Sequence, residues 1–418
     1  MSDMSTMNRE SKKRQLRKQI VPPPAPPEED SEAIVRQAHA KVRKKRLRIF
    51  FLAAVILAVL GLGLYQYFNY RQYTDYAVVW SKELKMGSFV GCEAFGSNVL
   101  RYSRDGASYI NSSGDEVWVQ SYEMTSPTVA VNGAYAAIAD QRGNSIYIFN
   151  ENGNTGVATT LLPIVKVTVS SGGIVAAILE DSAASYIYFF NRDGSALDVT
   201  IKALLDGEIG YPIDISLSPG GTQLMGAYAR LTNSGISGRV AFHNFSQIGQ
   251  SVNNRFVGGF DDIYEAALVA RVHFLDETHS CAFADNSISF FSTRNQLSPE
   301  LIKQVILEDE IRSVFYSEDY AGVIVNNSDG ENPERLEVYS QTGELVFSVP
   351  FNYQYTHADI DGDKVILYNE DSCRIYTMSG RLKFSGTFDF SVAKIRSGRF
   401  PNTLIVTGPE NMQEIRLQ

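Results

Sequence analysis

The hydrophobic pattern of this chain is dominated by a short apolar run that ends in a Gly- or Asn-type turn and occurs seven times. Repetition at a period of roughly 40 to 50 residues is typical of propellers and solenoids, because each unit can bury its apolar face only against a neighbour. The pattern therefore predicts a repeat protein. The copies occupy residues 109–114, 148–153, 189–194, 241–246, 290–295, 338–343 and 375–380.

The residues before each turn predict further strands. If the turn joins the third and fourth strands of a blade, each preceding segment supplies two more strands. The second and third units then contain strands at 128–131, 134–139, 145–149, 165–169, 174–179 and 186–190. Similar triplets begin near Pro212, Leu268, Ile311, Tyr355 and Val392.

The third strands are apolar on both faces. In the second unit, Ile146 and Ile148 lie on one side, and Tyr147 and Phe149 lie on the other. A sheet with one wet face would alternate apolar and polar residues. Burial of both faces is what stacked propeller blades require, so we expect an all-β propeller rather than a β-sandwich or a solenoid.

The last unit ends in a third strand, residues 412–418, with no fourth strand after it. Closed propellers avoid an open sheet edge, and the missing strand can come from the other end of the domain. Residues 76–80 are apolar and suit this position. We therefore predict an eight-bladed β-propeller over residues 71–418, with seven blades as the alternative.

A second hydrophobic pattern, without a charged residue, runs from Ile49 to Tyr70. About 20 apolar residues in a helix cover the roughly 30 Å hydrocarbon core of a bilayer. We predict a transmembrane helix at 49–70, in preference to a cleaved signal peptide or a buried core helix. Before it, residues 1–30 predict a disordered tail that is basic and proline-rich, and residues 31–48 predict a basic juxtamembrane helix.

Charge divides the chain at the same point. The net charge is −9, but residues 1–48 hold 13 Lys/Arg and 6 Asp/Glu, a balance of +7, so the remainder carries −16. The positive-inside rule places the N-terminus in the cytoplasm and the propeller outside. Closure by a strand directly after the span predicts a propeller held near the bilayer. The cations before the span are Lys41, Arg43, Lys44, Lys45, Arg46 and Arg48, and Arg71 follows it.

The basic clusters lack interleaved aromatics and a folded nucleic-acid module, so nucleic acid is not an expected partner.

Cys92, Cys281 and Cys373 fall in different units without a Cys-x-x-Cys spacing. We expect three buried, unpaired thiols. A large exterior domain without disulfides fits a bacterial envelope.

Candidate chemistry is confined to polar residues on the predicted innermost strands, which surround the channel of a propeller. This mainly basic set is suited to an anion or an acidic glycan, although a hydrated channel whose charges pair is the favoured interpretation. We predict no catalytic residue, metal site or cofactor, and residues 359–363 are expected to form a hairpin turn rather than a calcium loop. The channel candidates are Lys166, Asp214, Arg271, His273, Arg312, His357, Asp359, Lys394 and Arg396.

The run 111–118, with echoes at 341–347 and 379–384, resembles the repeat of quinoprotein-like eight-bladed propellers, in which a Gly turn precedes a docking Trp. Trp118 occupies that position in one unit and Phe replaces it elsewhere. The calcium-binding carboxylates and vicinal disulfide of quinoprotein dehydrogenases have no counterpart here, so quinone chemistry is not expected. The chain as a whole resembles an uncharacterised family of clostridial-type membrane-anchored propellers, which implies fold and topology.

These observations predict a single-pass protein of the cell membrane. Its exterior propeller would serve as a non-catalytic protein-binding or scaffolding module of the envelope. The alternatives are a ligand- or glycan-binding sensor or enzyme that uses the channel, and a transmembrane signalling protein with the basic tail as its output.

Overall fold

The computed structural model describes residues 13, 14, 16, 28–84, 88–204, 207, 209–233, 235–328 and 330–418. The predicted tail at residues 1–30 falls largely outside this range. The chain divides into two compact units, Met1–Arg71 and Gln72–Gln418.

The first unit contains helix α1, Glu28–Tyr70, which takes in the predicted juxtamembrane and apolar segments. Within it, Arg43–Gly63 has a mean hydropathy of 2.1 and none of its residues is buried. A core helix of a soluble fold would bury such a surface. The described part of the chain therefore contains one helix that is long and apolar enough to cross a bilayer.

In the second unit, the described residues form eight four-stranded antiparallel sheets, the blades of a propeller. Blades 1 and 2 contain β2 (Gly91–Phe95), β3 (Asn98–Tyr102), β4 (Gly106–Ile110), β5 (Glu116–Ser121), β6 (Pro127–Asn132), β7 (Tyr135–Asp140), β8 (Ser145–Asn150) and β9 (Gly153–Thr159). Blades 3 and 4 contain β10 (Ile164–Val169), β11 (Val175–Glu180), β12 (Ser185–Phe190), β13 (Ala196–Ala203), β14 (Tyr211–Leu217), β15 (Gln223–Thr232), β16 (Gly235–Asn244) and β17 (Phe256–Phe260).

Blades 5 to 7 continue the same order along the chain. They contain β18 (Val269–Phe274), β19 (His279–Ala284), β20 (Ser287–Ser292), β21 (Glu300–Ile306), β22 (Ile311–Tyr316), β23 (Tyr320–Asn326), β24 (Glu334–Ser340), β25 (Leu345–Phe351), β26 (His357–Asp361), β27 (Lys364–Tyr368), β28 (Ser372–Thr377) and β29 (Leu382–Thr387). Short 3-10 helices lie at Ile248–Ser251, Asn253–Arg255 and Asp262–Tyr264.

Blade 8 is completed from both ends of the domain. It consists of β30 (Lys394–Ser397), β31 (Thr403–Thr407), β32 (Asn411–Leu417) and β1 (Tyr76–Glu83). Strand β1 runs antiparallel to β32, with Tyr76 opposite Leu417 and Glu83 opposite Asn411. The predicted eight blades and their closing strand are confirmed. The seven-bladed, sandwich and solenoid alternatives are wrong.

The core lies between the blades. Ile146 and Ile148 of β8 pack in a cluster with Val175 and Leu179 of blade 3. On the opposite face of the same strand, Tyr147 and Phe149 belong to a cluster shared with blade 1. The stacked sheets therefore bury both faces of this strand, as the sequence predicts.

The repeated turn also has a packing role. It joins the third and fourth strands, as predicted, and Gly194 in blade 3 has a positive φ of 85°. A Cβ at Gly194 would collide with the carbonyl of Val157 in the outer strand of blade 2. The turn glycines of blades 1, 2, 3, 6 and 7 each face the preceding blade in this way, and Gly194 serves both the backbone angle and the close approach. Trp118 fills the docking position in blade 1, where its Nε1 donates to the carbonyl of Glu151, 3.0 Å away.

The propeller has two distinct ends. We call the end with the first-to-second and third-to-fourth connections the turn face. The end with the second-to-third hairpins and the blade-to-blade connections is the hairpin face. Strand β1 begins at the turn face, because Tyr76 pairs with Leu417 at the end of a third strand.

The segment before β1 is also part of the propeller. Tyr73 is 3% exposed and packs with Phe384 and Phe388 of blade 7. Its N–H donates to the carbonyl of Lys383 (2.8 Å), and its carbonyl accepts from the N–H of Ser385 (3.3 Å). The second unit is therefore fixed to its own N-terminal residues from Tyr73 onward, three residues before the closing strand β1 begins at Tyr76.

The three cysteines are buried and unpaired, in clusters that belong to different blades. Burial raises the pKa of the Cys92 thiol to about 12 and raises those of Cys281 and Cys373 as well. They serve as core residues. Residues Asp361 to Lys364 form the predicted hairpin turn, with Gly362 at a φ of 59°.

Candidate functional site

The central channel is a cavity of about 410 Å³, lined by the first strands of blades 1 to 7. The second and third strands of each blade bury apolar faces between the blades, whereas the first strands carry polar side chains that face the channel. Five of the candidates from the sequence line the cavity, together with two residues that were not predicted, Glu93 and Tyr316. The five candidates are Lys166, Asp214, Arg271, His273 and Asp359.

The first charged group, which we call the basic arc, joins blades 3, 4 and 5. The Asp214 carboxylate is 1% exposed and forms an ion pair with the ammonium of Lys166. Its other oxygen accepts the N–H of Val272 (2.9 Å) and lies 3.9 Å from Nε of Arg271. Two cations around one buried carboxylate leave a net positive charge on this side of the channel.

The second group, the acidic arc, joins blades 7, 8 and 1. The ammonium of Lys394 lies 2.9 Å from a Glu93 oxygen and 3.1 Å from an Asp359 oxygen. Tyr368 donates a hydrogen bond to the same Asp359 oxygen (3.0 Å). Burial alone would lower the pKa of Lys394, but the carboxylates of Asp359 and Glu93 outweigh it and raise that pKa. One cation between two carboxylates leaves a net negative charge.

The two arcs occupy opposite sides of the ring, separated by blades 2 and 6. Each arc pairs its charges across three neighbouring inner strands. Loss of one member of a paired buried group leaves its partners without compensation, which is costly in a poorly hydrated site. The arrangement can therefore hold the ring closed. It also gives the channel one positively charged side and one negatively charged side.

His273 is an uncharged member of the channel wall. Its ring stacks on Tyr316 with centroids 3.8 Å apart. Burial and the neighbouring Arg271 lower the pKa of His273 to about 3, and burial raises the pKa of Tyr316 to about 12. Both groups are neutral at physiological pH, so His273 adds no cation for an anionic ligand.

The other candidates lie elsewhere. Arg396 donates to the carbonyls of Asn98 (2.5 Å) and Gly96 (3.2 Å), and so joins blade 8 to blade 1. His357 is exposed at the start of β26, with its ring centroid 4.9 Å from that of Tyr368. Arg312 lines a separate cavity between blades 6 and 7. The described residues contain no group of three or more His, Cys, Asp or Glu side chains arranged to hold a metal ion.

Of the two channel residues that the sequence analysis did not predict, Glu93 has a recognisable position in the sequence. Glu93 lies in the middle of β2, the first strand of the first blade. The strand triplets predicted from the sequence begin with the second blade, so no channel residue is predicted on the first strand of blade 1. Tyr316 ends an apolar strand and resembles a core residue in the sequence.

Solved structures with a similar fold cover most of the chain at low identity. BamB from Moraxella catarrhalis has a TM-score of 0.50 and 12% identity, and the match covers 82% of this chain and 100% of that one. Chaetomium thermophilum Sqt1, bound to the N-terminus of the ribosomal protein L10, has a TM-score of 0.50 and 10% identity, and the match covers 83% and 95%. At this identity the likeness shows the fold alone.

No curated protein matches the chain. A family model does match, over residues 69–417, which is the entire propeller and the last residues of α1. The chain therefore belongs to DUF5711, a family of unknown function.

Proposed function

We propose that the protein is a membrane-anchored propeller that binds a protein partner at its hairpin face, as a non-catalytic module of the bacterial cell envelope. The observation that carries this proposal is an extended hairpin in blade 4. Strands β15 and β16 have ten residues each, and Leu231 and Ile236 near the tip are both 59% exposed. Exposed apolar side chains that cluster on one surface are typical of protein interaction sites.

The base of this hairpin is held in place. Asp261 accepts from Arg230 of β15 (2.7 Å) and lies 3.1 Å from Nε of Arg239 of β16. The hairpin is thus a fixed projection. The blade-to-blade connections of the same face add exposed apolar side chains on either side of blade 4, at Leu204 and Leu268, and a further one between blades 2 and 3, at Leu161.

Propellers of this fold can bind protein segments, as the complex of Sqt1 with the N-terminus of L10 illustrates. Fold likeness does not assign a function to this chain, so the argument rests on the surface itself. Ligand binding or catalysis in the channel has less support, because the charges of Lys166, Asp214 and Lys394 are already paired. Signalling through the N-terminal tail stays a prediction.

Crosslinking tests the binding surface. A photoreactive amino acid at position 231 or 236 should give discrete crosslinked proteins in intact cells. The same probe at Val117 or Val119, which are exposed on the outer strand of blade 1, should give none. The double variant L231S/I236S should abolish recovery of the same partner while it changes stability by no more than about 0.5 kcal/mol. Crosslinking of equal yield at both pairs of sites, or full recovery with the double variant, would refute the proposal.

The anchor and its orientation belong to the same proposal. The apolar stretch of α1 follows a cluster of six cations, whereas Arg71 alone follows it within the next ten residues. This asymmetry favours a cytoplasmic N-terminus. The likeness to clostridial single-span proteins, inferred from the sequence, is part of this proposal.

A reporter enzyme that folds only outside the cytoplasm tests the orientation. Fused after Gln418, the reporter should be active and should sediment with membranes. Fused at Asp30, it should be inactive. Activity confined to the Asp30 fusion would reverse the orientation, and a soluble fusion protein would exclude the anchor.

A further inference from the structure

A second cavity lies on the hairpin face at the junction of blades 6 and 7, with a volume of about 580 Å³. We call it the blade 6–7 cleft. It is separate from the channel and shares no lining residue with it. Its volume falls within the range of small-molecule sites, roughly 300–1,000 Å³. Its lining includes polar and aromatic side chains from Arg312, Glu334, Asn352, Tyr353, Gln354 and Tyr355.

A β-bulge directs Arg312 to this cleft. In the pairing of β22 with β23, Ile311 is opposite Val325 and Ser313 is opposite Ile324, so Arg312 is the extra residue. The inner strands of blades 3, 4 and 5 skip one residue in the same way, and there the skipped residues are Val165, Ile213 and Ala270. A bulge reorients the side chain it carries. Blade 6 thus places a guanidinium where the three preceding blades have small or apolar groups.

The Arg312 guanidinium is available for a ligand. Its side chain is exposed, and within the described residues it takes part in no hydrogen bond or ion pair. Glu334 lines the same cleft, and burial raises the pKa of this half-buried carboxyl while Arg312 partly lowers it again. A guanidinium whose donors face solvent is well suited to a carboxylate, which it binds through two parallel hydrogen bonds.

Two tyrosine rings form part of the wall. The hydroxyl of Tyr355 is hydrogen-bonded to that of Ser313 (2.8 Å), and the hydroxyl of Tyr353 to that of Ser372 (3.1 Å). The Arg374 guanidinium lies 5.1 Å from the Tyr353 ring centroid. Because these contacts hold the rings in place, the cleft has fixed, half-exposed aromatic surfaces. Asn352 and Gln354 add exposed amides that both donate and accept.

We propose that the blade 6–7 cleft binds an anionic saccharide, with its carboxylate at Arg312, its hydroxyl groups at Asn352 and Gln354, and a sugar ring against the tyrosines. An acidic peptide would present the same carboxylate, and its backbone could pair with the two amides, but it would lack a sugar ring to lie against the fixed tyrosines. The cleft also contains few apolar side chains for peptide residues to contact, since Ile311 and Pro333 are its aliphatic members. The proposal is independent of the protein-binding surface on blade 4.

The test is calorimetric titration of the full chain in detergent with trigalacturonic acid as the probe. We expect saturable binding that R312Q weakens by about tenfold or more, since charge-assisted hydrogen bonds are lost. R312K should retain part of the affinity. The matched control is R294Q, which changes an exposed arginine on the turn face of blade 5 and should leave binding unchanged.

Two results would overturn the proposal. One is the absence of trigalacturonic acid binding at millimolar concentration, or binding that R312Q leaves unchanged. The other is equal or tighter binding of a hexaglutamate peptide, which would assign the cleft to acidic peptides. Thermal unfolding of R312Q should match that of the unsubstituted protein, because the side chain is exposed. Neither result bears on crosslinking through the blade 4 hairpin.

Discussion

Replacing Tyr73 with alanine is expected to lower the free energy of unfolding of the propeller by about 3 kcal/mol or more, as large-to-small changes of buried aromatics do. The ring is almost fully buried in a cluster that joins blades 7 and 8. Its removal leaves a cavity under the first residues of the domain. Those residues lead directly into β1, which supplies the fourth strand of blade 8.

Denaturation of the full chain in detergent, followed by tryptophan fluorescence, measures this loss. Trp80 lies on β1 itself, and its Nε1 donates to a Glu414 oxygen of β32 (2.8 Å), so it reports on release of the closing strand. Y73F keeps the ring and should retain most of the stability. F400A, which changes a 60% exposed aromatic of blade 8, should lie within about 0.5 kcal/mol of the unsubstituted protein. A Y73A curve that overlays the unsubstituted one would show that the contact does not hold the ring closed.

The blades were predictable because they repeat. The turn at Gly194 and its equivalents marks the third-to-fourth connection, and the alternating faces of Tyr147 and Ile148 indicate burial on both sides. The unpaired last strand required a partner, and the apolar residues after the span supplied one. The repeated turn and the alternating faces are local patterns, and the missing strand follows from counting strands, so all three can be read from the sequence.

Tyr73 could not be predicted in the same way. Its partners, Lys383, Phe384 and Ser385, are about 310 residues away in the sequence and belong to another blade. No periodicity links the two segments, since Tyr73 lies outside any regular strand and contacts blade 7 through an isolated parallel bridge. Such a contact depends on the closed ring, which brings the two segments together, so it can be identified only from the three-dimensional structure.

Channel residues were only partly predictable, because a single bulge changes which side chain faces the axis. A shift of one residue along a strand moves a side chain to the other face. Arg271 follows its bulge and lines the channel, whereas Arg312 is itself the bulged residue and lines the blade 6–7 cleft. The two strands look alike in sequence. A positively charged side chain was therefore predictable on each strand, but whether it faces the channel or the cleft was not.

The second large effect is expected for Lys394 at the centre of the acidic arc. Replacing it with methionine should lower the free energy of unfolding by about 3 kcal/mol, the low end of the range for breaking a buried ion pair. The low end applies because Glu93 and Asp359 keep 40% and 30% of their side-chain exposure and can be partly hydrated. K364M is the matched control. Lys364 pairs with the exposed Asp363 on a turn, so its loss should cost no more than about 1 kcal/mol.

The pH dependence distinguishes loss of this charge from loss of packing. The folded state raises the pKa of Lys394 above the value of about 10.4 for an unfolded lysine, so its stabilising contribution is complete below that pH. The contribution is lost as the pH rises through the higher pKa of the folded state. The stability difference between the unsubstituted protein and K394M should therefore be constant from pH 7 to about 10 and should shrink above it. Buried tyrosines away from Lys394, such as Tyr228 and Tyr264, weaken both proteins alike at high pH and cancel from the difference. Urea denaturation of the two proteins across this range measures the difference. A difference that persists unchanged above pH 11 would show that Lys394 acts through the packing of its methylene chain instead of its charge.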